Sequence, residues 1–292
     1  MTRPALRPNK ALGQHFLHDA GVLGRIAALA APPPGSGVVE IGPGTGNLTA
    51  HLIAALLPVA GTPLPLTLVE LDRRAPDALR ARFAQFAPAD GQPFCRIELA
   101  DAVTVDWPSL LHDPLLGPRP VVVGNLPYNA AMPILFALLD LPRPPERLVF
   151  MVQREVADRL VAGPGNRDRG QTSVKVQLRS AVRMAFKVGR GAFQPPPNVE
   201  SAVVVIEPYA VPPHDLPRWP HMARIITAGF AVRRKTLANA LQIGGFAEDS
   251  ARRALAVAHV DGRARAETLT LAQWADLGRA LLGRPSEASA SG

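Results

Sequence analysis

Asn125-Leu126-Pro127-Tyr128 gathers the groups that a planar, amine-bearing base would need. The Asn125 side chain and the Leu126 main chain each offer a carbonyl, Pro127 stiffens the turn, and Tyr128 presents a flat face for stacking. Two converging acceptors and one ring suit a base drawn out of its stack with an exocyclic amine exposed. Phe193, just ahead of Pro195-Pro196-Pro197, is a second ring that could close on the same base; the prolines argue for a loop there rather than a strand. Each fragment also has a plainer reading. Asn and Pro are common turn formers, and a loop Phe packs readily into a core.

A second group suits a nucleotide-like cosubstrate. In Gly42-Pro43-Gly44-Thr45-Gly46 the glycines let the backbone pass close to a ligand, and the helix that follows presents free N–H groups. Glu70 comes 28 residues after Gly42, at the end of the next apolar run, where an acid can accept both hydroxyls of a ribose. Asp101 ends the run after that, and its plainer role is to start a helix. The dinucleotide fingerprint would place its third glycine one residue later. Gly-x-Gly-x-Gly behind Glu40 better fits enzymes that use S-adenosylmethionine (AdoMet), and a dehydrogenase is the distant alternative.

Positioning these groups requires an α/β sheet. Apolar, β-branched runs at 37–41, 64–71, 94–99, 121–123 and 147–152 read as buried parallel strands, alternating with amphipathic helical stretches on both faces. Gly42, Glu70, Asp101 and Asn125 then share the rim at the strands' carboxyl ends, where open α/β sheets bind ligands. Asp19 is a fitting N-cap for a helix carrying Val22, Leu23, Ile26, Leu29 and Ala30 on one face. The segment before it, 11–18, has no period and reads as a lead-in or as a flap over the crevice. Residues 163–170 read as a polar mobile loop, and 201–206 as a final strand.

From Pro208 the pattern becomes helical, over 219–231, 233–242, 249–258 and 271–282. Residues 215–284 hold eleven Arg and Lys against six acids, which suits phosphate contacts on a folded RNA as well as a solvated surface. We therefore expect an AdoMet-binding domain over 1–207, a small basic all-α domain over 208–284 and a disordered tail over 285–292. Arg233, Arg234 and Lys235, at the expected start of a helix, are the candidate RNA contacts. The whole chain carries a formal net charge of +8, which favours a polyanionic partner. Neither a signal core nor a long apolar span is present, so the expectation is a cytoplasmic, monomeric protein without membrane attachment. The single Cys95 excludes an internal disulfide, and the scattered His suggest no metal.

In order, the motifs Leu-Gly-Gln-His-Phe-Leu, Glu-Ile-Gly-Pro-Gly-Thr-Gly, Glu-Leu-Asp, Asp-Ala, Gly-Asn-Leu-Pro-Tyr-Asn, Gln-Arg-Glu-Val-Ala-Asp-Arg-Leu, Phe-x-Pro-Pro-Pro-x-Val-x-Ser and Phe-x-x-Arg-Arg-Lys-Thr-Leu run from Leu12 to about Leu282. This pattern closely resembles the small-subunit (16S) ribosomal RNA adenine N6,N6-dimethyltransferases. The resemblance implies a Rossmann-like fold and transfer of methyl groups from AdoMet to N6 of two adjacent adenosines near the 3′ end of 16S rRNA. It implies cosubstrate contacts from His15, Leu17, Gly42, Gly44, Glu70, Asp101 and Asn125, with Tyr128 and Phe193 beside the target base. Two positions depart from the pattern: His15 stands where Asn is usual, and Arg169 where the loop commonly has an aromatic residue. An antibiotic-resistance dimethylase of 23S rRNA and a non-catalytic RNA-binding assembly factor are the alternatives.

Overall fold

The computed structural model describes residues 14–56, 63–127, 129–232 and 234–282. A short strand β1 (Phe16–Leu17) leads into α1 (Ala20–Leu29), whose first turn is closed by the Asp19 carboxylate accepting from the Val22 N–H. Then follow β2 (Val38–Ile41), α2 (Asn47–Leu56), β3 (Leu66–Glu70), α3 (Ala75–Arg82), β4 (Arg96–Leu99), α4 (Trp107–Leu111), β5 (Val121–Asn125), α5 (Ala131–Leu139) and β6 (Arg147–Gln153). The remaining elements are α6 (Arg154–Val161), α7 (Gln171–Gln177), β7 (Ser180–Val188), β8 (Phe193–Gln194), β9 (Ser201–Pro208), α8 (Trp219–Gly229), α9 (Leu237–Ile243), α10 (Glu248–Val257) and α11 (Leu271–Leu282).

Seven strands form one sheet in the order β4-β3-β2-β5-β6-β9-β7; β2 to β6 run parallel and β9 antiparallel to β6. From β2 the chain steps outward through β3 to β4, then returns to the other side of β2 for β5. Right-handed crossovers in opposite directions put the intervening helices on opposite faces, and the reversal between β2 and β5 opens the ligand crevice. Val121, Val122 and Val123 are wholly buried, as a central strand covered on both faces requires. Register levels the rim. Ile41 pairs with Val69 and with Gly124, so Gly42, Glu70 and Asn125 emerge side by side one residue later.

The described residues pack into two compact units, one built from those up to Ala157 with Arg183–Pro208 and the other from Asp158–Val182 with those from Tyr209 onward; the expected disordered tail over 285–292 lies outside the described residues. The break after Pro208 lies close to the expected one, but residues 158–182 group with the helical end. In that unit Val174 and Leu178 share a core with Met222, Ile226, Leu241 and Trp274. The expected mobile loop is anchored there too. Arg169 is 1% exposed, and its guanidinium donates to the carbonyls of Ala162 (2.8 Å) and Leu269 (3.2 Å) and to the Gln177 side chain (3.1 Å). Among the described residues no helix is long and apolar enough to cross a membrane.

Candidate functional site

Within the sheet-containing unit, a cavity of about 700 Å³ opens at the carboxyl ends of the parallel strands. Its walls take in His15, Leu17, Gly42, Gly44, Glu70, Asp101, Asn125, Leu126, Pro127 and Phe193. Parallel pairing of β2 to β6 aligns the strand ends, and the antiparallel β1–β8 pair brings in groups up to 178 positions apart in sequence. Tyr128 and Arg233 lie outside the described residues.

Gly42 has φ 68°, a left-handed conformation that favours glycine, and a Cβ built there meets no heavy atom within 4 Å. Any side chain would stand in the cavity. Gly44 meets a different limit: its Cβ would lie 2.9 Å from the Phe16 ring, which closes over the turn. The turn is braced by Glu70, whose Oε2 accepts from the Gly44 N–H at 3.0 Å and whose Oε1 accepts from the Asp72 N–H at 2.8 Å. The Glu70 main-chain carbonyl also accepts from Ala100, next to Asp101. One residue at the end of β3 therefore ties the glycine turn to the loop after β4. Asp101 does not start a helix: its Oδ1 accepts from the Val103 N–H at 2.8 Å in the turn after β4, Asp106 caps α4, and Asp101 lines the cavity.

The Asn125 amide nitrogen donates to the His15 carbonyl at 3.1 Å. That bond assigns the two ends of the amide and leaves Oδ1 as the acceptor turned away from His15. The Leu126 N–H continues the ladder to Met151, and the Pro127 carbonyl accepts from Ala130 and Ala131 to begin α5. Strand end and helix start thus hold both sides of the Asn-Leu-Pro turn.

Residues 14–18 form a strap over the cavity, the second of the two readings the sequence allowed. Gln14 donates to Asp72 at 3.3 Å, the Leu17 carbonyl accepts from Asn47 at 2.8 Å, and β1 pairs antiparallel with β8. This pairing corrects the loop expected at Phe193. Phe193 lies in a strand, 3% exposed, because Phe16 and Leu17 arrive from far away in sequence to pair with it. The prolines stop the strand only after Gln194. The ring is both core and cavity wall.

Glu40 lines the cavity but was not among the expected site residues. It is 1% exposed, its Oε2 accepts from the Thr49 hydroxyl at 2.7 Å, and burial pushes its carboxyl up to about 8, with the Thr49 bond opposing and the Glu70 charge adding. A lone acid inside the otherwise apolar run Val38-Val39-Glu40-Ile41 was the available signal. Asp72, by contrast, is drawn down to about 2, chiefly by its hydrogen bond with Arg74.

In the helical unit α9 begins at Leu237, later than expected, because the Thr236 hydroxyl caps it by accepting from Asn239 at 3.4 Å. Arg234 and Lys235 are exposed just ahead of the helix. The Leu237 N–H donates to the Ala264 carbonyl at 2.7 Å, which lays the segment holding the exposed Arg263 and Arg265 beside them. Their proximity depends on this fold and could not be read from spacing.

The profile of the family described as ribosomal RNA adenine dimethylase matches residues 5–281. Ribosomal RNA small subunit methyltransferase A of Geobacter sulfurreducens is 41% identical over 285 residues, covering 97% of this chain and 98% of that protein. The protein of the same name from Pseudomonas aeruginosa is 38% identical over 282 residues, covering 96% of each. Among solved structures, the 23S rRNA methyltransferase ErmE superposes with a TM-score of 0.66 at 25% identity, over 91% of this chain and 99% of that one. A dimethyladenosine transferase from Plasmodium falciparum gives 0.70 at 23% identity, over 90% and 96%.

Proposed function

The chain belongs to the ribosomal RNA adenine dimethylase family, and from that premise we propose that it uses AdoMet to dimethylate N6 of two adjacent adenosines near the 3′ end of 16S rRNA, in the cytoplasm, during assembly of the small ribosomal subunit. The observation that carries the chemistry is the oriented Asn125 amide, held by the His15 carbonyl on the rim of the cavity. The relatives named for the small subunit, at about 40% identity over nearly the whole chain, favour that substrate over 23S rRNA.

The cavity fits AdoMet on two counts. Gly42 leaves open the space a Cβ would fill, and Glu70 presents a carboxylate fixed by two N–H groups, with lone pairs left for ribose hydroxyls. His15, Leu17, Gly42, Gly44, Glu70, Asp101 and Asn125 would hold it. When bound, AdoMet supplies an electrophilic methyl group on a sulfonium.

The chain's own work is to prepare the nitrogen. In adenine the N6 lone pair is delocalised into the ring and is a poor nucleophile. Acceptance of the N6 hydrogens by Asn125 Oδ1 and the Leu126 carbonyl favours a tetrahedral nitrogen with its lone pair free, and stabilises the positive charge that develops there. The base stacks between Tyr128 and Phe193, which returns roughly 1–3 kcal/mol of the cost of unstacking it. Holding both partners in one cavity contributes further, since well-oriented intramolecular reactions gain on the order of 7–11 kcal/mol. Arg233, Arg234 and Lys235, joined by Arg263 and Arg265, engage RNA phosphates.

Labelled AdoMet, incubated with unmodified small or large ribosomal subunits, tests the reading. Transfer to small subunits is expected. Transfer to large subunits alone would favour the 23S enzyme, and RNA binding without AdoMet binding would favour an assembly factor.

A further inference from the structure

His15 meets the two sides of the cavity with different atoms. Its main-chain carbonyl accepts from the Asn125 amide at 3.1 Å, and its ring Nδ1 lies 2.9 Å from the Pro195 carbonyl. A carbonyl has only lone pairs to offer, so Nδ1 carries the hydrogen. We propose that His15 is a positioning residue for methyl transfer, one that fixes the wall bearing Phe193 to the strap that orients Asn125. This rests on the reading that Asn125 handles the target amine and Phe193 flanks its base.

The local backbone shows why a side chain is needed here. In the β1–β8 register Phe16 faces Gln194 and Leu17 faces Phe193, so the next pair is His15 and Pro195. Pro195, Pro196 and Pro197 have no N–H, and the ladder cannot continue through them. A pairing two residues long is too short to hold a wall by itself. The His18 N–H reaches the Ala192 carbonyl at 2.9 Å and secures the other end. The ring of His15 therefore supplies a side-chain bond to the residue directly opposite, where the main-chain ladder ends. The strap it hangs from is anchored separately, by Gln14 on Asp72 and by Asn47 on the Leu17 carbonyl. Loss of the ring should loosen the Phe193 side and leave the Asn125 side, held by main chain, in place.

That asymmetry sets the test. Asn carries its amide nitrogen two bonds from Cβ, as His carries Nδ1, so His15→Asn can donate to the same carbonyl; His15→Leu is of similar size and cannot. The intact protein and both variants would be compared for AdoMet affinity by calorimetry, for kcat and KM on unmodified small subunits, and for amide exchange across residues 193–194. For His15→Leu, which keeps the main chain through which His15 would meet AdoMet, we expect AdoMet affinity near wild type, faster exchange at 193–194, and a fall in kcat on the order of tenfold. That fall lies between the worth of one neutral hydrogen bond and the hundredfold cost of a 1 Å misplacement. His15→Asn should recover most of the lost turnover and the exchange protection.

Unchanged kcat and exchange in a folded Leu variant would overturn the proposal, as would an Asn variant as impaired as Leu. If Leu fails to fold, His15→Ala takes its place. If neither folds, His15 serves folding alone and the proposal is lost. Wild-type protein that binds AdoMet without methylating small subunits would instead refute the functional reading, and exchange at 193–194 would still decide the tether.

Discussion

Replacing Glu40 with Gln isolates a buried acid whose protonation the fold controls strongly. The carboxyl is 1% exposed and held up to about 8 against an ordinary value of 4.5. Between those two pH values the folded protein keeps a proton that the unfolded chain has released. Stability from this group is therefore complete below about 4.5 and is lost as pH rises through about 8. The interval corresponds to on the order of 5 kcal/mol, at about 1.4 kcal/mol per pH decade. Gln reproduces the protonated acid: it keeps a carbonyl for the Thr49 hydroxyl and cannot ionise. Urea unfolding of both proteins from pH 5 to 9 should give curves that nearly coincide at pH 5 and diverge toward pH 9, with the Gln variant more stable by several kcal/mol. Parallel curves across that range would refute burial of a protonated Glu40.

Glu70→Ala would strip two main-chain N–H groups of their acceptor, at roughly 1–3 kcal/mol each, and calorimetry should show AdoMet binding severely weakened; unchanged affinity in a folded protein would remove the ribose assignment. Arg169→Lys keeps a positive charge but cannot span the Ala162 and Leu269 carbonyls and Gln177 together, so thermal unfolding should register a loss of about 2–4 kcal/mol. A triple change of Arg233, Arg234 and Lys235 to Gln should leave AdoMet affinity intact and weaken subunit binding. It should also flatten the dependence of log K on log salt by up to about 0.7–0.9 for each phosphate no longer neutralised, and a wild-type slope would show that the cluster does not meet RNA.

What could be read from the sequence follows from the range of the forces involved. The rim of Gly42, Glu70, Asp101 and Asn125 was legible because each residue ends an apolar run, and parallel strands align their ends whatever lies between them. The Asp19 cap was legible because it acts over three residues. Phe193 was misplaced because its strand exists only through Phe16 and Leu17, which no local pattern announces. Arg169 looked like part of a solvated loop; its partners at Ala162, Gln177 and Leu269 come from three separate stretches, and they alone make its burial tolerable. The start of α9 was within reach, since Thr236 is a good N-cap, but the run of basic residues ahead of it also fits a helical pattern. The grouping of 158–182 with the helical end depends on packing between segments distant in sequence.

The most direct measurement is nucleoside mapping of unmodified small subunits after incubation with labelled AdoMet and either wild-type protein or Asn125→Ala. Wild type should place N6,N6-dimethyladenosine at two adjacent positions near the 3′ end of 16S rRNA. The variant should bind subunits normally and turn over far more slowly at saturating substrate, since the bond that orients Asn125 at His15 matters only if its Oδ1 acts on the amine. Label confined to the large subunit, or near-normal turnover by the variant, would contradict the account.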